Sequence, residues 1–329
     1  MKIAVVIVTW NSSRFLGDVL RALSCQTLHP DKVLIIDNGS KDADDVAEIT
    51  KQYSFCELLC MRNNIGFASA NNIAFERCSN FNYLALLNPD AFPESDWLEQ
   101  LLTAAKAYPN IAAFGSRQLC HDDPAVLDGI GDSYHISGRV WRERHWERQR
   151  KDDLIVREIF SPCAAAVLYR RQFLIDIGGF DEDFFCYLED VDLGFRLRLA
   201  GHKARYVPGA VVHHIGSATT GGQQSDFSVY YGHRNLVWAF VKNMPGILFW
   251  LLLPLHFLLN LATISVFISR GKGKVIWRAK KDAIKGIPVM WRKRRIIQAQ
   301  RRASIIDIWH VLDKRLNCWR KINTLPANK

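Results

Sequence analysis

Four short apolar runs, each closed by a polar cluster, constrain this chain more than any other feature. Residues 3–9 (IAVVIVT) are apolar without a break, as in a strand covered on both faces. The run ends at Thr9-Trp10-Asn11, after which Phe15, Leu16, Val19, Leu20 and Leu23 keep helical spacing. Val33 to Asp37 ends in Asn38-Gly39-Ser40, and Leu58 to Met61 leads into Arg62-Asn63-Asn64-Ile65-Gly66. Tyr83 to Leu87 ends in Asn88-Pro89-Asp90. The order βαβαβαβ predicts an α/β fold, a Rossmann-like and mostly parallel sheet with helices on both faces. Such sheets bind ligands beyond the carboxyl ends of their strands, which is where all four polar clusters fall.

The chain has no Gly-x-Gly-x-x-Gly after its first strand and no Gly-x-x-x-x-Gly-Lys-Ser/Thr, so two phosphate-cradling loops are excluded. A bound diphosphate then needs another counter-charge, and a divalent metal (Mg²⁺ or Mn²⁺) held by Asp90 is the natural substitute. An Asp after a strand is also an ordinary turn former. The strand expected over residues 203–213 ends in His213-His214, and either imidazole could complete the coordination begun by Asp90.

Residues 179–201 (GFDEDFFCYLEDVDLGFRLRLAG) carry the second constraint. Glu189, Asp190 and Asp192 crowd three acids into four positions beside Phe184, Phe185 and Tyr187. Crowding and partial desolvation raise a carboxyl pKa, which suits a general base near neutral pH. The same acids complement the N-terminus of the helix that Gly201 closes. Residues 120–155, polar and rich in Arg and Trp, are expected to form a long mobile loop over the site, suited to acceptor contacts.

The formal net charge of +10 belongs to one segment. Residues 270–302 hold 13 Lys/Arg and one acid, a net of +12, which leaves −2 for everything else. The main body is therefore not a nucleic-acid surface. Residues 247–268 carry no formal charge and are long enough to cross a bilayer. One crossing would put the basic segment on the far side, against the positive-inside bias. Pro254, His256 and Asn260 interrupt the run, so a bent, re-entrant or interface-lying helix is expected, with Trp250, Trp277 and Trp291 at headgroup depth. A buried core helix followed by a solvated basic helix is the plainer alternative. Eight cysteines without a Cys-x-x-Cys pair read as reduced thiols, and the short run after Met1-Lys2 reads as a strand and not a leader.

With these residues in place the chain resembles the inverting family 2 glycosyltransferases of GT-A fold, in their rhamnosyltransferase-like branch. The resemblance rests on Val8-Thr9-Trp10-Asn11, Ile36-Asp37-Asn38-Gly39-Ser40, Asn63-x-x-Gly66-Phe67 continuing to Asn71, and Leu87-Asn88-Pro89-Asp90. It continues through Gly179-Phe180-Asp181-Glu182, Tyr187-x-Glu189-Asp190-Val191-Asp192, His213-x-x-x-Ser217 and Tyr230-Tyr231 to Arg234-Asn235. It implies that Thr9, Asn11 and Asp37 hold the base and ribose of a nucleoside diphosphate sugar, with Asn63, Gly66 and Asn71 lining the same pocket. Asp90 becomes the last acid of the metal motif, Asn88 its first position, His213 the likelier histidine ligand and Arg234 a diphosphate contact. Asp190, with Glu189 beside it, becomes the catalytic base.

The resemblance implies a nucleoside diphosphate deoxysugar donor such as dTDP-rhamnose and a lipid-linked saccharide acceptor, the alternatives being a UDP- or GDP-hexose donor or a non-catalytic membrane-bound sugar-nucleotide binder. The enzyme would work at the cytoplasmic face of a bacterial inner membrane, with no nucleic-acid partner. The expected division is 1–110 for the nucleotide-sugar half, 111–243 for the acceptor and catalytic half, and 244–329 for a helical, membrane-associated tail.

Overall fold

Strand β1 (Ile3–Thr9) lies at the centre of the sheet, and its alternation explains why the run is apolar throughout. In this computed structural model, which describes residues 1–216, 222 and 225–315, Ile3, Val5 and Ile7 enter one core while Ala4 and Val6 enter another. The first core is closed by helix α1 (Ser13–Ser24) through Leu16, Val19, Leu20 and Leu23, and by α4 (Trp97–Ala107) through Trp97, Leu98 and Leu101. The second is closed by α3 (Phe67–Arg77) through Ala68, Ala70, Ala74 and Phe75. Truncating one of these fully buried leucines to Ala would cost about 2–5 kcal/mol.

β1 pairs in parallel with β2 (Lys32–Asp37) and β4 (Tyr83–Leu87), and β2 with β3 (Cys56–Cys60). Helix α2 (Ala43–Lys51) connects β2 to β3. Beyond β4, past the short β5 (Ala91–Pro93), pairing becomes mixed. The late strand β12 (Ala166–Arg170) inserts antiparallel between β4 and β6 (Ile111–Cys120). Strand β13 (Lys203–His214) runs parallel to β6 with a register shift between Val207 and Val211.

The expected mobile loop over 120–155 is instead folded. It forms β7 (Val126–Gly129), β8 (Asp132–Tyr134), β9 (Val140–Arg142) and β10 (Glu147–Arg148), with β8 and β9 paired as a hairpin. Arg144 pairs with Glu147 and with the buried Asp153, which fixes the segment to the turn before β11 (Arg157–Ile159).

A short helix α5 (Arg171–Asp176) leads to the acidic stretch and α6 (Glu189–Leu199). The chain ends in α7 (Asp226–Asn243), α8 (Gly246–Ser269), α9 (Gly273–Ala299) and α10 (Ile305–Val311). These helices share a third core with α6, built on Phe195, Trp238, Phe240, Phe249 and Met290. α8 is one helix despite Pro254, and only 22% of its apolar window is buried. Its outer stripe, Ile247, Trp250, Leu251, Phe257, Leu258, Leu261 and Ile268, faces solvent, which sets aside the buried-core-helix alternative. Exposed Trp277, Ile284 and Ile296 on α9 lie among exposed Arg278, Lys281, Lys285, Arg292 and Arg295.

Candidate active site

The carboxyl ends of β1, β2 and β4 and the N-terminus of α6 border one cavity of about 850 Å³. Asp90, Asp190, Glu189 and Asn88 all line it, so residues a hundred positions apart meet as the sequence implied.

Asp190 occupies the first turn of α6. Its Oδ2 accepts from Ala164 N at 3.1 Å and its Oδ1 from Val191 N at 2.8 Å, so the carboxylate has a fixed orientation. Burial raises its pKa, and the Ala164 N–H and the Arg142 guanidinium moderate the rise. Burial, and after it the nearby Asp190, hold the Asp132 pKa well above the usual carboxylate range. Glu189 is buried with Oε2 making no hydrogen bond, and burial together with Asp190 holds its pKa well above the usual carboxylate range. Asp192 points the other way, fully buried, to Arg196 at 2.8 Å, Lys242 at 2.7 Å and Asn243 at 2.7 Å.

The loop entering α6 is strained. Phe185, Tyr187 and Leu188 hold φ of +64°, +67° and +66°, a region that costs a non-glycine residue about 1–3 kcal/mol. α7 holds the loop there. Asn235 Nδ2 donates to the carbonyls of Phe184, Cys186 and Tyr187 at 2.9, 3.0 and 2.7 Å. Lys242 and Lys293, from α7 and α9, both pair with Asp181 at the loop's start. Burial works against the Asp181 anion, but these two cations hold its pKa well below the usual range.

Also lining the cavity, His214 bridges two carboxylates. Its Nδ1 lies 2.9 Å from Asp128 Oδ2, and its buried Nε2 makes no hydrogen bond but stands 3.3 Å from Asp90 Oδ1. Burial opposes the imidazolium, yet Asp128 and Asp90 raise its pKa to about 9. Among the described residues no group of three or more His, Cys, Asp or Glu side chains is arranged to hold a metal. Asp90 and His214 nevertheless fit as a two-ligand site. Their ligating atoms face each other, and Asp128 fixes the imidazole from its far nitrogen, as carboxylates do behind metal-bound histidines. A magnesium-type ion needs only one or two protein ligands when diphosphate oxygens supply others.

Several expected residues sit elsewhere. His213 was expected as the ligand, but adjacent strand residues face opposite sides of a sheet. Its Nε2 pairs with Glu94 at 3.2 Å, outside the cavity, and His214 takes the inward place. Arg234, expected as a diphosphate contact, does not line the cavity. Its Nη2 donates to the carbonyls of Asp183 and Phe184 at 2.8 and 3.0 Å, and its guanidinium lies 4.0 Å over Trp238, so it braces the catalytic loop.

Asn63 is exposed, and Asn64 lines the cavity in its stead, its Oδ1 accepting from Asn38 Nδ2 at 3.0 Å and from Gly66 N at 2.9 Å. Asn71 is buried inside α3 and donates to Phe67 O at 2.9 Å. Gly66, at φ +88°, seats the catalytic loop, because a Cβ there would lie 2.6 Å from the Phe185 ring.

The remaining three lie together at the ends of β1 and β2. Thr9 is fully buried, 2.7 Å from Ser12 Oγ, and Asn11 Oδ1 accepts from Lys41 N at 2.8 Å. Asp37 is 1% exposed, with Oδ2 accepting from Ser40 N at 3.2 Å and Oδ1 making no hydrogen bond. Asn38, beside it, lines the cavity. Ser217 lies outside the described residues.

The sequence singled out neither Arg142, Asp128, Asp132 nor Cys163, all of which line the cavity. Arg142 pairs with Asp128 at 2.5 Å and donates to Cys163 Sγ at 2.7 Å, placing a half-buried guanidinium among the acids of the cavity. The Arg-rich composition of 120–155 was the one available signal.

Comparison with known proteins agrees with this geometry. The family model "Glycosyltransferase like family 2" matches residues 1–235. The N-acetylglucosaminyl-diphospho-decaprenol L-rhamnosyltransferase of Mycobacterium tuberculosis is 31% identical over 239 residues, 66% of this chain and 77% of that protein. The O-antigen chain rhamnosyltransferase of Salmonella typhimurium is 28% identical over 233 residues, 70% of this chain and 71% of its own. A mannosyltransferase from Pyrobaculum calidifontis, solved with GDP-mannose and Mn²⁺, superposes with a TM-score of 0.53 at 15% identity, covering 94% of this chain and 87% of that one, and shares the fold. A cavity lined by a fixed carboxylate and an Asp–His pair at the strand ends of a GT-A sheet accords with these matches, and the match over residues 1–235 makes the chain a glycosyltransferase of family 2.

Proposed function

We propose that the enzyme transfers a deoxysugar, rhamnose, from a nucleoside diphosphate donor such as dTDP-rhamnose to a hydroxyl of a lipid-linked saccharide, inverting the anomeric configuration. The observation that carries this reading is that Asp190, Asp90 and His214 all line one cavity. The decaprenol-linked acceptor and rhamnosyl product named for the mycobacterial relative support the choice of sugar and acceptor.

Asp190 takes the proton from the acceptor hydroxyl as its oxygen attacks the anomeric carbon. A positioned base contributes about 10²–10⁴-fold. The Ala164 and Val191 N–H groups hold the carboxylate in place, and burial favours the neutral form of Glu189 beside it. The Asp37 carboxylate, buried and with one oxygen unpaired, accepts from the donor's base or ribose. Asp90 and His214 would hold a divalent cation, which would offset charge on the departing diphosphate.

The exposed apolar stripe of α8 and the basic face of α9 support docking on an anionic membrane surface, which the need for nucleotide sugars makes the cytoplasmic face of the inner membrane in this reading. The test is transfer from a panel of nucleoside diphosphate sugars to polyprenyl diphosphate-linked N-acetylglucosamine in vesicles, with and without Mn²⁺. Transfer from dTDP-rhamnose, absent in Asp190→Asn, is expected. Failure with every donor would reject the reading.

A further inference from the structure

The cavity does not end at the reacting carboxylates. It continues as an arm between α7 and α8, lined by Gly232, His233 and Leu236 on one helix and by Leu259, Thr263 and Phe267 on the other. The three α8 residues lie four apart, on one face of that helix, and its outer stripe is the exposed apolar surface described above. α8 therefore presents one apolar face to the arm and another to its surroundings. The nearest charge on α8 is Arg270, just past Phe267, which also lines the cavity. Lys272 pairs with Asp226, so this end of α8 lies beside the start of α7. That is the end next to Phe227, whose ring packs against Phe185 and Tyr187 of the catalytic loop. Going inward from Asp190, the wall is first aromatic, then cationic, then apolar.

Gly232 is the telling residue. It sits inside α7, where a glycine costs about 1 kcal/mol relative to Ala. Its φ is not in the left-handed region, and a Cβ built on it meets nothing within 4 Å. Neither backbone geometry nor packing requires a glycine there, and the effect of having one is to keep the arm open. His233, whose ring packs edge-on against Phe267 of α8 at 4.7 Å, has its Nδ1 buried and without a hydrogen bond.

We propose that this arm binds the lipid-proximal end of the acceptor, a polyprenyl diphosphate, with the diphosphate toward Arg270 and the first isoprene units between α7 and α8. The proposal rests on the reading of the enzyme as one that uses a lipid-linked acceptor. It assigns that acceptor a defined path, in place of loose contact with the membrane.

The test compares wild type with Gly232→Leu and Gly232→Ala in the full-length protein. Because the added side chain enters open space and leucine favours helix, both variants fold, with melting temperatures at or above wild type. Farnesyl diphosphate is the probe, titrated in the presence of saturating dTDP so that the donor site is filled, with inorganic diphosphate as the control for anion binding alone. Gly232→Leu is expected to weaken farnesyl diphosphate at least 10-fold and to raise the KM for polyprenyl diphosphate-linked N-acetylglucosamine by a similar factor. The Ala variant should fall between, and dTDP affinity should be unchanged in both. Equal farnesyl diphosphate affinity in wild type and Gly232→Leu, affinity no better than inorganic diphosphate, or no binding by wild type would each overturn the arm. Sugar transfer to lipid-linked acceptor with no effect of Gly232→Leu on its KM would also overturn the arm and leave the enzyme's function standing. Farnesyl diphosphate binding that Gly232→Leu abolishes, in an enzyme that glycosylates no lipid-linked acceptor, would reject the function and leave the arm.

Discussion

The side-chain amide of Asn235 donates to the carbonyl of Tyr187 at 2.7 Å, and Tyr187 is held at φ +67°. The same nitrogen also reaches the carbonyls of Phe184 and Cys186, so one residue of α7 satisfies most of the strained turn that delivers Asp190. Asn235→Ala would leave three carbonyls without that partner, at about 1–3 kcal/mol for a buried group left unsatisfied. We expect a melting temperature several degrees lower and a kcat reduced about 10-fold or more, with donor affinity little changed. Circular dichroism and steady-state kinetics measure both.

Asp190→Asn keeps the shape of the side chain and an acceptor for at least one of the Ala164 and Val191 N–H groups. It removes the proton acceptor. Transfer should fall about 10²–10⁴-fold, while titration with the nucleoside diphosphate gives a wild-type Kd. Near-normal turnover would remove Asp190 from the role of base.

His214→Ala deletes the imidazole between Asp90 and Asp128, whereas His213→Ala deletes a partner of Glu94 on the outer face. The first should raise the Mn²⁺ concentration needed for half-maximal activity at least 10-fold, and the second should leave it alone. A metal titration of both variants decides between the adjacent histidines.

Glu189 gives the stability a pH dependence of definite sign. Its pKa is raised in the fold by burial and by Asp190, so the folded chain holds a proton that the unfolded chain releases near pH 4.3. Its contribution is therefore fully present below that value and declines as the pH rises toward the folded pKa. Glu189→Gln mimics the neutral acid. Denaturant titrations should show it gaining on wild type as pH increases from 5 to 8, and a constant difference would contradict the assignment.

Trp250 and Leu251 are 62% and 65% exposed on the outer stripe of α8. Full burial of each in lipid would contribute about 1.5–3 kcal/mol. Replacing both by Ser should weaken binding to anionic vesicles roughly 100-fold in a sedimentation assay, with little effect on the melting temperature. Raised salt should weaken the wild type as well, through the Arg and Lys of α9.

The sheet was legible because β1, β2 and β4 bury both faces, which leaves an unbroken apolar run in the sequence. The histidine was not, because which of His213 and His214 faces inward depends on the register shift between Val207 and Val211, set by pairing with β6. β8, β9 and β10 are two or three residues each, too short to show a period, and their partners lie across turns no composition specifies. Arg142 and Asp128 were hidden by that. Arg234 was visible as a cation in a motif, but whether a guanidinium meets a phosphate or a backbone carbonyl is decided by where α7 docks.

The family match stops at residue 235, inside α7, whereas both lysines that pair with Asp181, Lys242 and Lys293, lie beyond it. A chimaera spliced at the edge of the recognisable homology would strand the Asp181 anion at the start of the catalytic loop and take Lys242 from Asp192, and removing one partner from a buried pair costs about 3–5 kcal/mol. Grafting between relatives therefore has to carry α9 along with the catalytic loop, and the interchangeable module is longer than its sequence signature.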